Sequence, residues 1–246
     1  MNNTCIVIPA RYQSTRFPGK PLINLLGKPM IIWVAELANK VLDRKDIFIA
    51  TDNNLIEALV LENNFNCIRT NHAITGTDRV ALASKSLNYD LFINIQGDEP
   101  LLDPKDIEQC ITLKRENPDY VFNGFNLMSA EENFNSPNIP KLVTNEHNDL
   151  IYISRALIPS QKKIINNKNL EYKKQVCIYG FSKQELNSFY NYGRKSKLEQ
   201  IEDIEILRFF ELNTPIKMFQ CRKGSIAVDI PEDVKKVEDI LSKRNL

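Results

Sequence analysis

The sequence predicts an α/β fold with a mostly parallel central sheet, helices on both faces and an inserted smaller sheet region. Three observations carry this reading. Strand-like and helix-like segments alternate four times in about the first 115 residues, the order that builds a parallel sheet from right-handed crossovers. The strand-like runs there are short and almost wholly apolar, the pattern of buried strands. After residue 116 the alternation gives way to strand-like runs joined by polar loops.

Taken in order, TCIVIPA is an apolar, β-rich run closed by a proline. From Pro29 to Leu42, the residues Met30, Trp33, Val34, Leu37, Ala38 and Leu42 recur at three and four residues, as on an amphipathic helix. IFIATD reads as a strand and NLIEALVLEN as a helix that Asp52 or Asn53 can cap. NCIRT is a further strand, and TDRVALASKSL a further helix. DLFINIQGD is a strand, and DPKDIEQCITLKREN a helix with Asp103 at its N-cap and Pro104 in its first position. YVFNGFNLM, KLVTN, DLIYISRAL and QVCIYGF are strand-like. LEQIEDIEILRFFELN is helical by period, PIKMFQC is a strand and PEDVKKVEDILSK the closing helix. We expect one domain over residues 1–246, with about 116–200 inserted to close over the sheet or to form an oligomer contact.

Composition narrows the partners. The 246 residues are 43% hydrophobic and 26% charged, an ordinary globular balance. Lysine and arginine total 32 against 31 acids, so net charge gives no reason to expect nucleic acid or a membrane as partner. Neither a long apolar span nor a secretory signal pattern is visible, and a cytoplasmic location is expected. The five cysteines are scattered without a CxxC pair, and the chain has two histidines. Reduced, packed thiols are therefore expected rather than disulfides or structural zinc.

Charge-based chemistry must then be local. In open α/β sheets, ligands lie beyond the C-terminal strand ends, which is where PARYQSTRFPGKP falls. Arg11, Arg16 and Lys20 are candidates to grip a polyanion, on a loop stiffened by Pro18 and Pro21. The alternative is a solvated turn; neither GxxxxGK[ST] nor GxGxxG is present. In INIQGDEPL, Asp98 emerges at a strand end and can hold Mg²⁺, which takes one or two carboxylates and fills its shell with waters and phosphate oxygens. Asp229 in SIAVDIPED repeats the design; either carboxylate can instead cap a turn or helix. In TGTDR, Thr75, Gly76 and Thr77 open a helix, where an anion or a base edge can be read, or where a threonine simply caps. Arg155 follows an apolar strand as an anion anchor or a surface charge.

These segments, in this order, resemble the 3-deoxy-manno-octulosonate (Kdo) cytidylyltransferases: IPARYQSTRFPGKPL, GKPMI, IATD, TGTDR, NIQGDEPL, YISRALIP, IYGF, LEQIEDIEILR and VDIPED, from about residue 5 to 241. The first loop of the more distant sialic acid cytidylyltransferases, PARxGSKxxxxKN, is not found. The resemblance implies a Rossmann-like nucleotide-diphospho-sugar transferase fold and a Mg²⁺-dependent transfer of CMP from CTP to the anomeric hydroxyl of a 3-deoxy-2-ulosonic acid. Pyrophosphate is released, and the product serves lipopolysaccharide or capsule synthesis. It further implies that Ala10, Arg11 and Lys20, assisted by Ser14 and Arg16, hold the triphosphate. Thr75, Gly76, Thr77, Arg79 and Gln96 would surround cytidine, and Asp98 and Asp229 the metal. Arg155 and Glu205 match sugar-contacting positions, Tyr179 and Lys141 lie in matching strands, and relatives are commonly homodimers through the inserted region.

The chain departs from the pattern at two places. QVCIYG stands for HxGIYG and IEILR for LEQLR, which puts Gln175 at a sugar-facing histidine and Ile206 at a glutamine. A site that pairs a hydroxyl discriminates strongly against ligands that cannot pair it. The acceptor is thus open among Kdo, which we prefer, 8-amino-Kdo and another 3-deoxy-ulosonic acid. Two remoter alternatives are a non-catalytic nucleotide-binding module and a nucleotidyltransferase for a sugar 1-phosphate. The first predicts loss of Lys20 or a carboxylate, and the second a GGxGTR-like opening.

Overall fold

The computed structural model describes residues 3–13, 17–162, 171–228 and 230–244. Its strands are β1 (Thr4–Ala10), β2 (Asn24–Leu25), β3 (Lys28–Pro29), β4 (Ile47–Thr51), β5 (Asn66–Arg69), β6 (Leu91–Ile95), β7 (Val121–Leu127), β8 (Lys141–Thr144), β9 (Leu150–Ser154), β10 (Lys173–Ser182) and β11 (Ile216–Gln220). Its helices are α1 (Met30–Asn39), α2 (Asn54–Glu62), α3 (Gly76–Ser84), α4 (Pro104–Glu116), α5 (Lys183–Asn191), α6 (Lys197–Glu202), α7 (Arg208–Glu211) and α8 (Pro231–Lys243).

The main sheet runs β11-β7-β10-β6-β1-β4-β5. β1 is parallel to β4 and β6, and β4 to β5, whereas β10 is antiparallel to both β6 and β7. All seven residues of β1 are buried, because the sheet is covered on both faces and no side of this strand meets water. Ile6 and Ile8 point to the face covered by α1, α2 and α4, and Cys5 and Val7 to the face covered by α3, α5 and α7. A third apolar cluster, with Met30, Leu101, Val237 and Leu241, seats α8.

Local signals set the helix starts. Asn53 accepts from the amides of Leu55 and Ile56, and Asp103 from that of Lys105 ahead of Pro104. Helix α5 was not expected from its period, although SKQE carries its start: Ser182 and Glu185 form a capping box. The helix expected from Pro29 to Leu42 ends at Asn39.

Two regions differ from the expectation more instructively. The smaller sheet region between residues 116 and 200 is the antiparallel β8–β9 pair, which branches from β10, while β7 and β10 themselves belong to the main sheet. LEQIEDIEILRFFELN is broken: α6 stops at Asp203, whose φ of 51° is left-handed, and α7 begins at Arg208. A side chain distant in sequence meets the chain at this break. Arg155 donates from Nε to the carbonyl of Glu202 and from Nη2 to that of Asp203, taking acceptors that a continuing helix would use.

Candidate active site

A cleft opens where β1 and β6 end. Pro9, Ala10 and Arg11 line one wall with Lys20, Gln96 to Asp98 form the floor, and Thr75, Gly76, Arg79 and Glu205 the opposite wall. The loop after β1 is pinned by Gly19, whose φ of 71° suits glycine and whose amide donates to the Tyr12 carbonyl at 2.9 Å. That turn starts a short 3-10 helix, Lys20–Leu22. Lys20 thereby reaches across to Asp98, Nζ to Oδ2 at 2.5 Å, with 16% and 24% of the two side chains exposed. The amide of Val228 donates to the main-chain carbonyl of Asp98 at 3.0 Å, which ties the chain at Val228 to the end of the cleft floor. Asp229, with Ser14 and Arg16, lies outside the described residues. Glu99 is turned away as a brace, accepting from the Cys177 amide and the Ser225 hydroxyl.

The opposite wall is the N-terminus of α3. Thr75 caps it, its Oγ1 accepting from the Asp78 amide at 3.1 Å and donating to Asp78 Oδ2 at 2.7 Å. The two remaining amides of the first turn donate to one carboxylate, Gly76 N to Glu205 Oε1 at 2.9 Å and Thr77 N to Glu205 Oε2 at 2.7 Å. A helix N-terminus favours negative charge, and here the protein supplies it. A Cβ on Gly76 would sit 3.0 Å from Gln96 Nε2 and 3.3 Å from Glu205 Oε1, so any larger residue would press on these two side chains.

The expected site residues divide accordingly. Ala10, Arg11, Lys20, Thr75, Gly76, Arg79, Gln96, Asp98 and Glu205 meet in one cleft. Arg79 does so as a brace, with Nη1 on Thr70 Oγ1 at 2.6 Å and Nη2 on Asp52 Oδ2 at 2.7 Å, tying the ends of β4 and β5. Thr77 is buried behind the wall.

Arg155, Lys141, Gln175 and Tyr179 are not part of this lining. Lys141 is fully buried, and its Nζ donates to the carbonyls of Ser136 and Arg155. Arg155 spends its fork on the carbonyls of Glu202, Asp203 and Pro137. These two cations hold chain segments together in this structure, a role they take because each ends beside carbonyls that no strand or helix satisfies. Gln175 Nε2 donates to Asn123 Oδ1 at 2.9 Å and to the Tyr179 hydroxyl at 3.3 Å. Burial drives the Tyr179 phenol well above its usual pKa, so it stays protonated.

Reading by motif passed over Asp78, inside TGTDR, and Arg208, at the end of IEILR. Both are buried and paired with each other. The available signal was a lone cation in the apolar stretch ILRFF, since a buried charge needs a partner.

With this geometry, the fold and site define a class. The chain belongs to the cytidylyltransferase family, whose pattern matches residues 5–218. It is 35% identical to a 3-deoxy-manno-octulosonate cytidylyltransferase of Escherichia coli, over 99% of this chain and 98% of that one. It is 36% identical to an 8-amino-3,8-dideoxy-manno-octulosonate cytidylyltransferase of Shewanella baltica, over 98% of this chain and 99% of that one. A solved CMP:2-keto-3-deoxy-manno-octonic acid synthetase in complex with CTP superposes with a TM-score of 0.88 at 34% identity, over 98% of this chain and 99% of that one.

Proposed function

We propose that this chain transfers CMP from CTP to the anomeric hydroxyl of a 3-deoxy-2-ulosonic acid, Kdo by preference, and releases pyrophosphate. The observation that carries the reading is the single cleft in which Arg11 and Lys20 stand beside Asp98 and face Gly76, Gln96 and Glu205. Arg11 and Lys20 hold the triphosphate, with Ser14 and Arg16 assisting from the same loop. Thr75, Gly76 and Gln96 border the base. The hydroxyl oxygen bonds to the α-phosphorus as the bond to pyrophosphate breaks, and the hydroxyl proton is released. Two anions must meet for this, so cations that neutralise them lower the barrier most.

Mg²⁺ belongs to the same reading. Among the described residues no group of three or more His, Cys, Asp or Glu is placed to hold a metal; a site that shares Mg²⁺ with substrate phosphates needs only one or two carboxylates. Asp98 fits, as a hard oxygen donor on the cleft floor with Lys20 on one oxygen, and Asp229 is the second candidate. Bound there, Mg²⁺ would neutralise phosphate charge and orient the reacting oxygens.

A second acceptor, 8-amino-Kdo, is favoured by the relatives named for it and by Gln175 where a histidine is common in the family. A homodimer through residues 116–200 is also part of the proposal; Ile151 there is 59% exposed. So are a cytoplasmic location and a product used in surface glycan synthesis. Among the described residues no helix is long and apolar enough to cross a membrane.

The test is pyrophosphate release from CTP, UTP, GTP and dTTP with Kdo, 8-amino-Kdo and other ulosonic acids, each product weighed by mass spectrometry. CTP with Kdo should give the largest kcat/KM. A folded protein that turns over neither octulosonate would end the proposal.

A further inference from the structure

Arg208 has no exposed surface, and its guanidinium lies between two carboxylates. Asp78 receives Nη1 on Oδ1 at 2.8 Å and Nη2 on Oδ2 at 3.0 Å. Glu199 receives Nε on Oε2 at 2.8 Å and Nη2 on Oε1 at 2.7 Å. The guanidinium carbon stands 3.8 Å from the ring centre of Phe189, and Nη1 also reaches the Phe189 carbonyl at 3.3 Å.

The two carboxylates are chemically matched. Each accepts two N–H groups from Arg208 and one more hydrogen bond at a helix start. For Asp78 that bond comes from Thr75 Oγ1 at 2.7 Å, and for Glu199 from the Ser196 amide at 2.9 Å. What lies behind them differs. Ser196 only begins α6. Thr75 lines the cleft and begins α3, whose first amides hold Glu205. Glu205 precedes Arg208 by three residues on one segment. The chain therefore closes a ring: Arg208 to Asp78, through the first turn of α3 to Glu205, and back along the backbone to Arg208.

We propose that Arg208 and Asp78 are positioning residues for the transfer: by closing this ring they set Thr75 and the Glu205 carboxylate in the cleft together, so that the base side and the acceptor side keep one spacing. The proposal rests on the cytidylyl-transfer reading above. It differs from a purely stabilising triad, in which both carboxylates would matter alike.

Asp78→Asn and Glu199→Gln in the full chain make the same chemical change at the two ends of one guanidinium. Their unfolding midpoints, and kcat and KM for CTP and for the octulosonate, are measured side by side. Both variants should shift the midpoint similarly. Asp78→Asn should lower kcat/KM for the octulosonate by about 10- to 100-fold, the scale of a small misplacement in an active site; Glu199→Gln should stay within about 3-fold of wild type. Thr75→Val, which removes only the hydroxyl, should reproduce the Asp78→Asn loss, and Thr75→Ser should restore activity, which keeps the test readable even if Asp78→Asn fails to fold. Equal catalytic losses at Asp78 and Glu199, or a Thr75→Val variant with wild-type kcat/KM, would overturn the proposal. A wild-type chain without turnover would instead overturn the cytidylyl-transfer reading, and this one with it.

Discussion

Two charge clusters flank the same cleft and are built in opposite ways. Lys20 and Asp98 form one contact at the cleft floor, with parts of both side chains in water. Arg208, Asp78 and Glu199 form a triad with side-chain exposures of 0%, 3% and 1%, each carboxylate meeting the guanidinium twice. A partly hydrated pair has a small net energy, so its members can exchange partners with an incoming anion or metal. A dehydrated one cannot lose a single member without leaving charge stranded. Placing the charge at the water boundary makes it available for chemistry; burying it makes it architecture.

The sharpest way to break this contrast is Arg208→Met. It leaves two carboxylates buried without a cation and should cost about 3–5 kcal/mol, read from urea unfolding. A loss below about 1 kcal/mol would mean that the triad is hydrated in solution. Asp98→Asn is the converse experiment. Its unfolding free energy should stay within about 1 kcal/mol of wild type, while CMP transfer falls by about 10²–10³ in kcat, the scale of losing one charge-stabilising group. Retained turnover would remove Asp98 from the chemistry.

Asp106 supplies a third arrangement and the smallest effect. It is fully buried with no exposed surface, and both its oxygens accept from the Arg222 amide, at 3.0 and 3.2 Å. Burial raises its pKa from 3.8 to about 6, against the lowering effect of that amide. The folded state then holds the proton more tightly than the unfolded chain. This group therefore favours folding at low pH, and its contribution is lost as pH rises from 3.8 to about 6. Asp106→Asn should be more stable than wild type above pH 6, by at most about 3 kcal/mol, and the gain should vanish near pH 4. A pH-independent difference between the two urea midpoints would show that the carboxyl does not titrate in this window.

Much of the fold was legible because its cues are local. Apolar runs marked β1, β4 and β6, and polar residues marked helix starts: Asp52 or Asn53 for α2, Thr75 or Thr77 for α3 and Asp103 for α4, with Asn53, Thr75 and Asp103 the caps that form. The α6–α7 break was not legible, since the contact made there comes from Arg155, whose Nε meets a carbonyl 47 residues away. The cleft was legible where motifs sit at strand ends, as with Arg11, Lys20 and Asp98. The placement of Lys141 was not, because a lysine in a strand reads the same whether its amine meets a ligand or, as here, two backbone carbonyls.

By itself, then, the sequence determined the alternation of strands and helices, the wholly buried central strands β1 and β6 and the motifs gathered at the C-terminal ends of the parallel strands. All of these depend on residue type and on spacing within a few residues. Tertiary structure alone decided which charge faces water and which is sealed in. Asp78 and Arg208 are 130 residues apart, and neither their pairing nor its dehydration exists until α3, α6 and α7 pack on one face of the sheet.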